Sequence, residues 1–229
     1  GKTLATAGAD GTARLWDVAT HREIGAPLAA GLGAVNAVAF NPDGKTLATA
    51  GADAIARLWD VATHREVGKS PPNNLGFKSV AFSPNGKILA TAGNNKIRLW
   101  TGRRHLRQIS APLASGNEAM RAVAFSPDSK TIATASDDGT ARLWDVATHQ
   151  QVGPPLIASR GGVNDVAFRP DGKVLATASG DGTAQLWNIA LPKDKYLANA
   201  ACAISGRSLK RNEWTAHIKS LPFRQVCPR

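Results

Sequence analysis

The chain has 229 residues, of which 43% are hydrophobic and 20% are charged, a composition typical of a folded globular protein and not of a disordered one. No apolar run approaches the roughly 18 to 20 residues of a membrane-spanning helix, so no membrane segment is predicted. The net charge is +11, and residues 192–229 contribute eight Lys or Arg against two Asp or Glu. This charge favours non-specific contact with polyanions but does not identify a function.

A period of about 43 residues runs through residues 1–191. Trp recurs at one position of each unit and Phe at another, with nearly the same spacing: Trp16, Trp59, Trp100, Trp144 and Trp187, and Phe40, Phe82, Phe125 and Phe168. Two independent markers with one period indicate repeated structural units. Their predicted bounds are near 1–28, 35–71, 78–113, 120–157 and 163–191.

Each unit has the same order of predicted strands and turns. In the second unit, the apolar run VNAVAF (35–40) precedes the turn NPDGK, in which Pro fixes φ and Asp-Gly permits a tight hairpin. The alternating runs TLATAG (46–51) and IARLWD (55–60) follow, separated by a second tight turn. A loop then leads to a weaker fourth strand, such as EIGAPL in the first unit. The pattern predicts an all-β fold of small antiparallel sheets that bury one another.

The Trp-Asp pairs at 16–17, 59–60 and 144–145, the Pro-Asp-Gly turns and the period resemble WD-repeat β-propellers over residues 1 to about 190. The resemblance implies a propeller of four-stranded antiparallel blades, with about 4.4 repeats present. The sequence opens on the second strand of a unit. We therefore expect roughly 110 further residues upstream, a seven-bladed ring, and a chain that is the C-terminal part of a larger protein. A self-contained five-bladed ring is the alternative.

The turn before the Trp strand contains an aspartate in four units, at Asp10, Asp53, Asp138 and Asp181, and Asn-Asn in the third. In the resembled family, a His before the first strand binds this Asp, and the network continues through Ser or Thr to the Trp. No such His is present here. We therefore expect an incomplete network and blades stabilised mainly by apolar packing. Each Asp is expected to accept backbone N–H groups of its own turn, because a buried unpartnered polar group costs about 1–3 kcal/mol.

No catalytic, cofactor-binding or metal-binding residue is predicted, because the motifs typical of hydrolases, zinc proteases and phosphate loops are missing from the sequence. The chain is predicted not to be an enzyme. Two residue types still recur once per unit: His21, His64, His105 and His149, and Arg14, Arg57, Arg98 and Arg142. The histidines are interpreted as exposed loop residues, because equivalent loops are too far apart to converge on one ion. The arginines are interpreted as solvated strand residues, with a phosphate-binding stripe as the alternative.

Residues 192–229 depart from the repeat and are predicted to form a basic tail with two short helices. The tail resembles the C-terminus of actinobacterial WD-repeat proteins in which a helix-turn-helix or NACHT-type NTPase module precedes the propeller. Cys202 and Cys227 bracket the predicted helices, and either a disulfide between them or two free thiols is compatible with the sequence. The compartment is undetermined. The cytoplasm is slightly favoured, and a disulfide would indicate an extracytoplasmic protein.

The resemblance implies a non-catalytic protein–protein interaction or sensor module, within a larger NACHT-type signalling protein. The expected ligand is a protein or peptide at the mouth of the propeller channel. The loops before the first strands vary most between units, reading GLGA, NNLG, SGNEA and SRGG, as a specificity surface would. Two alternatives remain: polyanion or nucleic-acid binding through the basic tail, although no specific nucleic acid is expected, and the sensor domain of a receptor-type Ser/Thr kinase.

Overall fold

The described residues form strands joined by turns and loops, and the predicted all-β class is confirmed. The computed structural model describes residues 1–72, 76–102, 105–114 and 118–189, and no helix occurs among them. The predicted helical tail at 192–229, with Cys202 and Cys227, lies outside the described residues. Its helices, and the alternative of a disulfide or two free thiols, remain predictions.

In the described ranges, the segments of the repeats form nineteen strands. In chain order they are β1 (Thr3–Ala7), β2 (Thr12–Asp17), β3 (Leu28–Ala29), β4 (Val35–Phe40), β5 (Thr46–Gly51), β6 (Arg57–Asp60), β7 (Glu66–Lys69), β8 (Ser79–Phe82), β9 (Leu89–Gly93), β10 (Lys96–Thr101), β11 (Arg107–Gln108), β12 (Leu113–Ala114), β13 (Met120–Phe125), β14 (Thr131–Ser136), β15 (Thr140–Asp145), β16 (Leu156–Ile157), β17 (Val163–Phe168), β18 (Val174–Ser179) and β19 (Ala184–Asn188).

The strands form five antiparallel sheets, which we number as blades 1 to 5. Blade 1 is β1–β3, blade 2 is β4–β7, blade 3 is β8–β12, blade 4 is β13–β16 and blade 5 is β17–β19. Within each blade, consecutive strands pair as hairpins, so the strand order follows the sequence. In blade 3 both β11 and β12 pair with β10, and they take the place of a single outer strand.

Proline explains why the outer strands are short in three blades. In blades 1 and 4, one isolated bridge, Trp16 to Glu23 or Trp144 to Gln151, precedes the short strand β3 or β16. A proline lies directly before the second segment in each of blades 1, 3 and 4, at Pro27, Pro112 and Pro155. Proline has no N–H to donate to the ladder, so the strand is interrupted there. Blade 2 has no proline at this point, and β7 is continuous.

The core lies between neighbouring blades. Ala13, Leu15 and Leu28 of blade 1 pack with Leu47 and Trp59 of blade 2. The same arrangement recurs one blade further on, where Ala48, Ala50 and Leu58 of blade 2 pack with Leu89 and Trp100 of blade 3. Ile97 and Leu99 of blade 3 then pack with Met120, Ile132 and Trp144 of blade 4. Each repeat Trp in these clusters therefore closes the interface to the preceding blade.

The turns of each blade lie at two opposite edges. The turns between the second and third strands share an edge with the connections between blades, because backbone hydrogen bonds join them. These bonds include Val35 N to Gly8 O at 3.0 Å, Phe77 N to Gly51 O at 2.8 Å, Gly180 N to Gly162 O at 2.9 Å, and Met120 N to Asn94 O. We call this the upper edge. The turns at 41–45, 83–88, 126–130 and 169–173 define the lower edge.

Candidate functional site

The connections that lead into β4, β8, β13 and β17 form the candidate surface at the upper edge. Residues 30–34 and 158–162 are described completely, and the connections before β8 and β13 are described in part. Ala30 N binds Gly11 O at 3.0 Å, and Ala52 N binds Ala34 O at 2.9 Å, so the first connection is held to the turns of both neighbouring blades. The candidate surface therefore lies across the boundaries between blades.

Leu32 is the most exposed large apolar side chain among the described residues of this surface. Its relative exposure is 90%, and it lies between Gly31 and Gly33, whose φ angles are +127° and +89°. These φ values lie in the region that favours glycine. A Cβ at Gly31 would also meet the Asp53 carboxylate and the Arg57 guanidinium. The loop thus lies directly on an ion pair of blade 2 and directs a leucine into solvent.

The turn aspartates accept hydrogen bonds from their own turns, as predicted. Asp10 Oδ1 accepts the Thr12 N–H at 3.0 Å and the Thr12 hydroxyl at 2.7 Å. The same backbone bond is made by Asp53, Asp138 and Asp181 with the residue two positions further on. Hydrogen bonds from the Thr12 side chain, from Arg14 and from the Thr12 N–H lower the pKa of Asp10 from 3.8 to about 2.

Three of the recurring arginines are ion-paired, which corrects their interpretation as solvated strand residues. The second carboxylate oxygen of the turn aspartate lies 2.8 Å from Arg14, 2.6 Å from Arg57 and 2.8 Å from Arg142 in blades 1, 2 and 4. Glu23, in the isolated bridge to Trp16, and Glu66 of β7 add a second carboxylate to Arg14 and Arg57, at 3.6 and 3.3 Å. The Asp-x-x-x-Arg spacing in three units was a signal available in the sequence.

In blade 5, Gln185 replaces the arginine, and a serine takes over the contact. The Ser159 hydroxyl donates to Asp181 Oδ2 at 2.8 Å from the connection before β17. The hydroxyl and N–H of Thr183 and then the Ser159 hydroxyl hold the pKa of Asp181 below its usual value. Ser159 thus supplies, from the connection before the first strand, the contact that the sequence analysis assigned to a missing His.

The second half of the expected network is present in all five blades. The indole N–H of each repeat Trp donates to a Thr of the neighbouring strand over 2.9 to 3.1 Å: Trp16 to Thr6, Trp59 to Thr49, Trp100 to Thr91, Trp144 to Thr134 and Trp187 to Thr177. Trp59, Trp100 and Trp144 are buried, whereas Trp16 and Trp187 are half-buried. The expected network is therefore interrupted at its His-dependent end, and in blade 3 also at the turn, where Asn-Asn replaces the Asp.

Three of the loop histidines have a left-handed backbone conformation, which the sequence did not predict. His21, His64 and His149 have φ angles of +57°, +58° and +60°. Each N–H donates to the Asp carbonyl four residues earlier, and Asp17, Asp60 and Asp145 also bind the Thr three positions after them. His64 Nδ1 lies 3.2 Å from Ala26 O of blade 1. These histidines close a turn that the Trp-Asp aspartate organises.

Comparison with known families agrees with this geometry. The family model described as "WD domain, G-beta repeat" matches residues 1–17, 28–60, 72–101, 110–145 and 154–188, which together exceed half of the chain. The chain belongs to the WD40-repeat family. No curated protein gave a significant sequence match.

WD40 repeats support a role as a protein–protein interaction scaffold, and WD40 propeller domains are generally non-catalytic. In this WD40 protein, no group of three or more His, Cys, Asp or Glu that could hold a metal ion occurs among the described residues. No helix in the described ranges is long and apolar enough to span a bilayer.

Proposed function

We propose that this WD40 chain is a non-catalytic protein-interaction module that binds a protein or peptide through the connections before β4, β8, β13 and β17. The observation that carries the proposal is Leu32, which is 90% exposed on a loop that backbone hydrogen bonds fix to two blades. A large apolar side chain on a fixed loop can bury its surface against a partner without a large cost of ordering the loop.

The sequence of the connections supports the same surface. The strands repeat nearly the same residues, whereas the four connections differ in sequence and in charge. Ser159, which binds Asp181, belongs to the last of them, so this connection adds a side-chain contact of its own to a similar backbone frame. A surface built this way can be specific while the blades beneath it stay alike.

A photo-crosslinking pair tests the proposal. A photo-reactive phenylalanine analogue at Leu32 is compared with the same analogue at Val18, which is 48% exposed after β2 at the lower edge. In cells of the native host, we expect a discrete protein adduct from position 32 and none from position 18. Equal adducts at both positions, or no adduct at position 32, would contradict a partner surface at the upper edge.

We also propose that the module works within a larger signalling protein with a NACHT-type NTPase. The support is the resemblance of the tail to the C-terminus of such actinobacterial proteins. The reading frame that precedes the codon for Gly1 tests it. A P-loop sequence there would support the NTPase, and kinase motifs would support the receptor-type kinase instead.

A further inference from the structure

Blade 3 contains the whole positive excess of the repeat region. Residues 67–117 contain no Asp or Glu, and the remaining repeats contain 12 Lys or Arg against 15 Asp or Glu. Blade 3 and its loops contain seven cationic residues, Lys78, Lys87, Lys96, Arg98, Arg103, Arg104 and Arg107. The net charge of residues 1–191 is therefore concentrated on one blade out of five.

Arg98 occupies the position at which the other arginines are ion-paired. Four residues before it stands the neutral Asn94, where the other blades with an arginine have the turn aspartate. Opposite Trp100 lies the neutral Gln108, where Glu23 and Glu66 lie opposite Trp16 and Trp59. Among the described residues, no carboxylate lies within ion-pair distance of Arg98. Partial burial without a carboxylate lowers the pKa of Arg98.

Lys78 is a second cation of blade 3 at a position where blade 4 has an ion pair. It lies just before β8, and the strand registers place it at the position that Arg121 occupies in blade 4. Arg121 pairs with Asp137 of the upper-edge turn, whereas blade 3 has Asn94 in that turn. Lys78 is exposed, and no ion pair to it occurs in the part of the chain that the structure describes.

Lys96 completes a cationic group at this edge. It follows the Asn94–Asn95 turn directly and pairs with Gly93, while Lys78 N binds Ala92 O at 2.7 Å on the other side of β9. Neighbouring strands are about 4.8 Å apart, so the backbones that hold Lys78 and Lys96 are about 10 Å apart. Lys96 and Arg98 lie two residues apart on one face of β10. We call Lys78, Lys96 and Arg98 the blade 3 basic cluster.

We propose that the blade 3 basic cluster binds a short Asp- and Glu-rich segment of a partner protein, which supplies the carboxylates that blade 3 lacks. The inference rests on the proposed function and specifies the chemistry of the partner. Carboxylates of a peptide can make with these cations the ion pairs that Asp137 and Asp138 make with the cations of blade 4.

A nucleic acid fits this surface less well. Phe77 and Trp100 of blade 3 are buried, and in its described residues no exposed Phe, Tyr or Trp ring is available to stack on bases. The neighbouring blade 4 adds Glu118, Asp137 and Asp138 at the same edge. A long phosphate backbone would extend onto these carboxylates and be repelled, whereas a peptide of a few residues would not.

The test uses the full 229-residue chain and a fluorescein-labelled decapeptide with five alternating Glu and Asp residues between Gly-Ser flanks. Anisotropy titrations compare the wild type with Lys78→Gln/Lys96→Gln and with Arg98→Gln. The matched controls are Lys130→Gln/Lys173→Gln in lower-edge turns and Arg142→Gln, the paired equivalent in blade 4. Each control removes the same charge as its partner variant, and thermal melting verifies that every variant is folded.

We expect the double variant in the basic cluster to weaken peptide binding roughly tenfold and Arg98→Gln severalfold, with less than a twofold change in the controls. Asn94→Asp should weaken binding as Arg98→Gln does, because an internal carboxylate would compete with the peptide. The Gln/Asn version of the peptide should not bind.

Three results would overturn the inference. The first is no binding of the acidic peptide. The second is an equal loss of peptide affinity in the control variants. The third is binding of a 12-nucleotide oligothymidine that is tighter than peptide binding and depends on the same lysines. Equal losses would assign binding to net charge or to the basic tail. An adduct at position 32 without peptide binding would leave the proposed function in place and reject only the acidic partner. Absence of the adduct and of peptide binding would reject the proposed function and the acidic partner together.

Discussion

At the scale of single residues, Asp–Arg pairs and Trp–Thr pairs organise the blades. The turn Asp uses one oxygen for its own turn and the other for the arginine four residues on, as in Asp53 and Arg57. The Trp indole uses its N–H for a Thr on the adjacent strand. Both contacts fix the third strand of a blade, one near the upper edge and the other nearer its lower end. A polar frame therefore accompanies the apolar packing that the sequence indicated.

The Trp–Thr contact should stabilise the interior blades more than the first. Thr134→Val keeps the shape of the side chain but leaves the buried Trp144 N–H without its acceptor, which should lower the free energy of unfolding by about 1–3 kcal/mol. Thr6→Val at the equivalent site is the control, because Trp16 is half-buried and water can replace Thr6. Urea unfolding followed by circular dichroism measures both. Equal losses would contradict the argument.

At the scale of elements, the inner strands could be predicted and the outer strands could not. The alternating runs of β5, β14 and β18 have one clear period, and their flanking Pro-Asp-Gly or Asp-Gly turns fix their ends. The outer strands have weak alternation, and whether Pro27 or Pro155 interrupts pairing depends on the register with the third strand, which the sequence does not give. The positive φ angles of His21 and His149 were equally hidden, because positive φ is uncommon for any residue other than Gly.

The repeat pattern also made part of the candidate site predictable. The variable connections could be located because they interrupt a repeat, but the exposure of Leu32 depends on how Gly31 packs on Asp53 and Arg57 of the next blade. That contact joins residues of different units and leaves no periodic signal. The unpaired state of Arg98 was readable only by comparing the turns of all units once the Asp–Arg pairs were known.

The connection before β4 should depend on glycine for two separate reasons. Gly31→Ala introduces strain at φ +127° and places a Cβ against the Asp53 carboxylate. Gly44→Ala at φ +67° introduces strain alone, because nothing lies within 4 Å of a Cβ there. We expect about 1 kcal/mol of destabilisation for Gly44→Ala and at least about 1 kcal/mol more for Gly31→Ala. Thermal unfolding compares the two, and identical shifts of Tm would contradict the packing described for Gly31.

At the scale of the whole repeat region, burial increases from the first and last blades towards the middle. Leu4 of β1 is 56% exposed and Leu186 of β19 is 78% exposed, whereas Leu89 and Leu99 of blade 3 are almost fully buried. Each blade packs against its neighbours in sequence, so a blade with a neighbour on both faces is protected on both. Local stability should therefore vary along the chain.

Two segments of identical sequence test this gradient. TLATAG occurs at residues 3–8, which include β1, and at residues 46–51, which are β5. The second segment is nearly all buried, and the first is mostly half-buried or exposed. Since their intrinsic exchange rates are nearly equal, amide hydrogens of β5 should exchange at least about tenfold more slowly than those of β1. Hydrogen exchange followed by NMR resolves the two, and equal rates would show that both blades open together.

The backbone bonds between successive blades have a consequence for how such a chain can change over generations. Val35 N to Gly8 O and Phe77 N to Gly51 O join main-chain atoms, so the joint between blades does not depend on which side chains a unit contains. A segment of DNA that encodes one unit could be copied in frame, and the new blade would find the same joint on either side. Copies made in this way could then diverge at a few surface positions, as blade 3 has done at Asn94 and Gln108, without a redesign of their neighbours.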